Sequence, residues 1–149
     1  MRTLIAYFSR GGATKKAAER LQKVTNGGIF EITTDKNYGN YFTALGVSRK
    51  EFSAQELPKV LTKIKNFESY DRILLGFPIW FGKAPQVVMS FISQYDFAGK
   101  DVYPFCTSGA SGISSAVEPI KEACKGATVH EGLRMNKANE EIVRQWLNK

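Results

Sequence analysis

Thr3-Leu4-Ile5-Ala6-Tyr7-Phe8-Ser9-Arg10-Gly11-Gly12-Ala13-Thr14 is the stretch whose reading decides the fold. Its first six residues are nearly all apolar, as in a strand covered on both faces. Two glycines follow. Ala13, Ala17, Leu21 and Val24 then recur at helical spacing. A buried strand that turns tightly into an amphipathic helix is the opening unit of a parallel α/β sheet.

The same alternation continues along the chain. Short apolar segments recur at Gly28 to Ile32, Arg72 to Phe77, Asp101 to Cys106 and Thr128 to Leu133. Helical stripes fall between and after them: Leu57, Val60, Leu61 and Ile64; Val87, Val88, Phe91 and Ile92; Ile113, Val117, Ile120 and Cys124; Ala138, Ile142, Trp146 and Leu147. Asn136 reads as the N-cap of the last helix. Neither a linker nor an internal repeat divides the 149 residues, so the expectation is one domain over 1–149. The Thr128 to Leu133 segment is of mixed polarity, as suits a sheet edge.

Composition narrows the class. Hydrophobic residues make up 43%, which builds a core without a metal or disulfide staple. No window approaches the roughly 20 consecutive apolar residues of a membrane span. The N-terminus lacks a signal-peptide cleavage pattern, so a cytoplasmic protein is expected. Cys106 and Cys124 match neither a CxxC pair nor a zinc ribbon and read as reduced, small hydrophobes. The one histidine, His130, is too few for a metal site. The net charge is +7, but the basic residues are scattered over several segments with no dense tract. That distribution suits solvated helix faces and argues against nucleic acid.

In parallel α/β sheets, ligands bind beyond the C-terminal ends of the strands. Three loops therefore matter. Ser9-Arg10-Gly11-Gly12-Ala13-Thr14 combines a tight turn, a helix N-terminus and two hydroxyls, which suits one phosphate. It is neither a P-loop nor the GxGxxG dinucleotide turn. Taken alone, it is equally an ordinary Gly-rich turn. Pro78-Ile79-Trp80-Phe81-Gly82 offers large rings that stack on a planar ligand, cap the core or meet a second subunit. Thr107-Ser108-Gly109-Ala110-Ser111-Gly112 is small and polar. It follows Cys106, but the Cys-x5-Arg phosphatase loop is excluded, because Gly112 stands where the Arg must be. Together the three describe a cleft for a flat, phosphorylated heterocycle.

These segments resemble the flavodoxin family, and the likeness runs from end to end. It is carried by Ala6-Tyr7-Phe8-Ser9-Arg10 with Thr14-Lys15, by Gly76-Phe77-Pro78-Ile79-Trp80-Phe81-Gly82-Lys83-Ala84-Pro85, and by Phe97-Ala98-Gly99-Lys100 through Pro104 to Gly112. Gly126-Ala127-Thr128-Val129 with Glu131-Gly132-Leu133 adds a fourth piece. The resemblance implies a flavodoxin-like three-layer α/β sandwich with a five-stranded parallel sheet in order 2-1-3-4-5. It also implies FMN as cofactor. Carried over, Ser9, Arg10, Gly11, Gly12, Ala13 and Thr14 would hold the phosphate. Pro78, Ile79, Trp80, Phe81 and Gly82 would line the ring, and Thr107, Ser108, Gly109 and Gly112 would hold it from the other side. The family's usual phosphate loop is Ser-x-Thr-Gly-Asn-Thr, so Gly11 and Ala13 lack two side-chain donors here. The segment Lys36 to Ser53, with Tyr38 and Tyr41, resembles the loop after the second strand.

The implied activity is electron transfer through FMN, with no acid, base or nucleophile required. An NAD(P)H-dependent quinone or FMN reductase of the same fold is the alternative. A cofactor-free nucleic-acid module is the third reading. Redox partners with acidic surfaces would suit the positive charge, and an aromatic edge at Trp80-Phe81 permits an oligomer.

Overall fold

Leu4, Ala6, Ile73, Leu75 and Val102 are buried on one face of a parallel sheet, and Ile5, Tyr7, Leu74, Tyr103 and Phe105 on the other. Strand side chains alternate in direction, so continuous apolar runs bury both faces at once. The computed structural model describes residues 1–35, 41–54, 57–61, 63–109 and 112–149. Its strands are β1 (Thr3–Tyr7), β2 (Gly28–Glu31), β3 (Arg72–Pro78), β4 (Asp101–Thr107), β5 (Thr128–Val129) and β6 (Leu133–Arg134). The order is β2-β1-β3-β4-β5, and β6 also pairs with β4. All of these pairings are parallel. This is the expected flavodoxin-like sheet.

Helices α1 (Ala13–Thr25), α2 (Tyr41–Ala54), α3 (Gln86–Ser93), α4 (Ser114–Ala123) and α5 (Glu140–Leu147) complete the fold. Ala17, Ala18 and Leu21 of α1 pack with Val143, Trp146 and Leu147 of α5 on one face. Val87, Val88, Phe91 and Ile92 of α3 pack with Ala116 and Ile120 of α4 on the other.

Three local expectations are corrected. Leu57, Val60, Leu61 and Ile64 form no helix. Pro58 forces its predecessor toward extended backbone, and Val60 bridges Thr34 while the Leu61 N–H donates to the Thr33 carbonyl at 2.9 Å. The helix in this part of the chain is α2 instead, which overlaps the segment read as a loop and ends one residue beyond it. The cap of α5 is Asn139, whose side chain accepts from the Ile142 N–H at 2.9 Å, and not Asn136. The fifth strand is broken. Val102 pairs with Val129 and Phe105 with Leu133, which leaves two residues between them on β4 but three, His130 to Gly132, on the other segment. That extra residue is the count of a β-bulge, and it resets the register ahead of Arg134.

Candidate functional site

The first loop springs from β1, at the centre of the sheet. Gly12 adopts a left-handed φ of 97°, which a residue with a Cβ resists. Ser9 Oγ accepts from the Gly12 N–H at 3.0 Å and closes the turn. The first helical bond runs from the Lys16 N–H to the Gly12 carbonyl at 3.0 Å. The N–H groups of Ala13, Thr14 and Lys15 therefore have no partner within the helix, and they carry its positive end.

Thr14 lies buried beneath this loop, and its hydroxyl is 2.7 Å from that of Thr107 at the end of β4. The bond ties the first and third loops together. It uses one of the pair's two protons and leaves the other for a ligand. The Ile79 N–H donates to the Thr107 carbonyl at 3.1 Å, so the second loop is fixed to the same strand end.

These ties enclose a cleft of about 300 Å³. Ser9, Arg10, Gly11, Ala13 and Thr14 line it from the first loop, Pro78, Ile79 and Trp80 from the second, and Thr107, Ser108 and Gly109 from the third. Asn136 closes the far side.

Four expected residues do not line it. Gly12 shapes the turn from behind. Phe81 and Gly82 form the tip of a two-residue hairpin, closed by reciprocal bonds between Trp80 and Lys83 at 2.9 and 3.0 Å. Both tip residues have positive φ, 54° and 73°, the pattern of the primed hairpin turns. That geometry carries Phe81 outward, where it is 52% exposed and meets the Phe52 ring edge-on at 6.4 Å. Gly82 faces α4 through its carbonyl, which accepts from Ser115 Oγ at 2.6 Å. Gly112 precedes α4 and lies off the cleft. Ala110, Ser111, Lys36 and Tyr38 lie outside the described residues.

Of the alternatives open to the two rings, Trp80 takes the core-capping one. It is 1% exposed and packs edge-on to Phe8 at 5.8 Å, so it caps the core and walls the cleft together. Asn136, read from sequence as a cap, turns its side chain to the third loop: Oδ1 accepts from the Ser108 N–H at 3.0 Å. Arg134 holds the same loop and gave no sequence signal. Its guanidinium bonds Ser108 Oγ at 2.9 Å, the Ser108 carbonyl at 3.0 Å and the Gly109 carbonyl at 2.9 Å.

Both cysteines are free and buried, and burial pushes each thiol up to about 12. For Cys106 the nearby Arg134 charge opposes this only in part. Neither thiol is a nucleophile at neutral pH. Among the described residues no group of acids, histidines or cysteines could hold a metal ion, and no helix is long and apolar enough to cross a membrane.

A parallel sheet in this order, with three loops converging at its switch point, defines a flavodoxin-type α/β protein. A flavodoxin family model matches residues 2–149, and the chain belongs to that family. The structure of a Bacteroides uniformis protein assigned to the flavoproteins is 37% identical, covers 99% of this chain and 98% of that one, and has a TM-score of 0.87. A similarly assigned protein from Bacteroides eggerthii is 30% identical over 99% of this chain and 96% of that one, with a TM-score of 0.88. A Lactobacillus acidophilus flavoprotein in complex with FMN is 22% identical over 98% of each chain, with a TM-score of 0.83, and shares the fold. No curated protein matches this chain in sequence. The family's cofactor is FMN. The cleft fits it in three respects: an open helix N-terminus for the phosphate, Pro78, Ile79 and Trp80 along one wall, and space beside Gly11 and Gly109, where an added methyl group would meet nothing within 4 Å.

Proposed function

We propose that this chain binds FMN in the cleft and serves as a one-electron carrier. The observation that carries the reading is the convergence of a helix N-terminus, the Pro78-Ile79-Trp80 turn and a polar turn on one cleft, joined by the Thr14–Thr107 bond. Ser9, the α1 N-terminus and the second proton of the hydroxyl pair would hold the phosphate. Pro78 and Ile79 would line the ring on one side, and Ser108 and Gly109 would face its polar edge. FMN bound there would supply the redox chemistry, and the protein would set its potential through contacts and charge.

The net charge of +7 supports a redox partner with an acidic surface, and the exposed Phe81 offers it an apolar contact. Protein refolded with FMN and freed of excess is expected to be yellow, with an oxidised-flavin spectrum released by acid. Colourless protein that FMN does not stabilise against heat rejects the reading. Stopped-flow mixing with NADPH then distinguishes the roles. Slow bleaching by NADPH alone supports a carrier, and rapid bleaching supports a reductase.

A further inference from the structure

Resting on the FMN reading, we infer that Arg134 is a positioning residue that presets the third loop for the flavin ring. The loop's own sequence does little to fix its shape, being small and polar. The conformation of Ser108 and Gly109 is imposed from the neighbouring segment. The bulge before β6 puts Arg134 beside Cys106 in the sheet register, two residues short of Ser108. From there one guanidinium reaches a side-chain oxygen and two successive carbonyls, at 2.9 to 3.0 Å. Asn136 accepts the Ser108 N–H from a different direction.

The Ser108–Gly109 peptide bond is trans, so the Gly109 N–H points opposite to the Ser108 carbonyl. Arg134 does not line the cleft, whereas Ser108 and Gly109 do. Drawing the Ser108 carbonyl back onto Arg134 therefore turns the Gly109 N–H toward the ligand side. A donor fixed in that way costs less ordering entropy when it meets a ring carbonyl. Arginine is required by the geometry, because a lysine ammonium is a point charge with no planar fork.

With FMN in the cleft the loop would face the ring and the α1 N-terminus the phosphate, so the two contributions separate when FMN is compared with riboflavin. Arg134→Gln and Arg134→Lys are both expected to weaken riboflavin and FMN by the same factor, roughly tenfold. The ratio of FMN to riboflavin affinity should stay at the wild-type value. Dissociation constants from flavin fluorescence quenching, with melting curves of each apoprotein, provide the readout. Wild-type affinity in Arg134→Lys would overturn the inference, since charge alone would then suffice. So would a loss confined to FMN, which would make Arg134 a phosphate group partner. If Arg134→Gln does not fold, Arg134→Lys decides alone. Wild-type protein that binds neither flavin removes the FMN reading and this inference with it, a result distinct from either variant outcome.

Discussion

Gly11 occupies a place where the family usually carries threonine, and the structure has room there for a Cβ. Its backbone lies outside the left-handed region, and an added methyl group would meet no atom within 4 Å. Gly11→Thr should therefore fold normally and return a hydroxyl to the phosphate loop. A net hydrogen bond of about 1 kcal/mol corresponds to FMN binding several-fold tighter. Riboflavin affinity should not move, and a pair of fluorescence titrations checks both. Gly12 next to it differs, because its φ of 97° excludes the same change without strain. The sequence displays both glycines alike. Only the backbone says which one is replaceable.

At the scale of elements, β3 and β4 meet through a fit of opposite sizes. Gly76 pairs with Phe105, and a Cβ on Gly76 would stand 2.1 Å from the Phe105 ring. The missing side chain lets the Phe105 ring lie across the strand at Gly76. Gly76→Ala should destabilise the fold by about 2 kcal/mol through overpacking, or roughly 6 °C in Tm. Adding Phe105→Leu should recover part of the loss, and thermal melts of the single and double variants measure the coupling. The strands and most helices were legible because continuous apolar runs and period-3.6 spacing leave their marks locally. Leu57 to Ile64 kept a helical spacing that Pro58 overrules. Helix α2 went unread because its apolar residues do not gather on one face.

For the whole molecule, burial of both thiols sets a pH dependence. Each thiol is raised from an ordinary value of 9.0 to about 12 in the fold, so the unfolded chain loses those protons first. Stability is unaffected by them below about pH 9. It should then fall as pH rises toward 12, by about 1.4 kcal/mol per pH unit for each thiol. Burial raises Tyr7 and Tyr103 as well, and this acts in the same direction at higher pH. Urea unfolding at pH 8, 9.5 and 10.5 should show the decline. A flat profile would mean that the thiols are solvated in the folded state.

The sequence by itself determined the alternation of strand and helix, the burial of the central strands and the three loops at their ends. Those follow from local periodicity and from glycine and proline positions, which neighbours along the chain express. Tertiary structure alone decided which loop residues share a cleft. Phe81 swings out on a hairpin whose handedness is invisible in its residue names, Trp80 turns in against Phe8, and Thr14 meets Thr107 across 93 positions of chain. Arg134 and Asn136 reach the third loop for the same reason: the pairing of β6 with β4 is a long-range event, and no spacing along the chain encodes it.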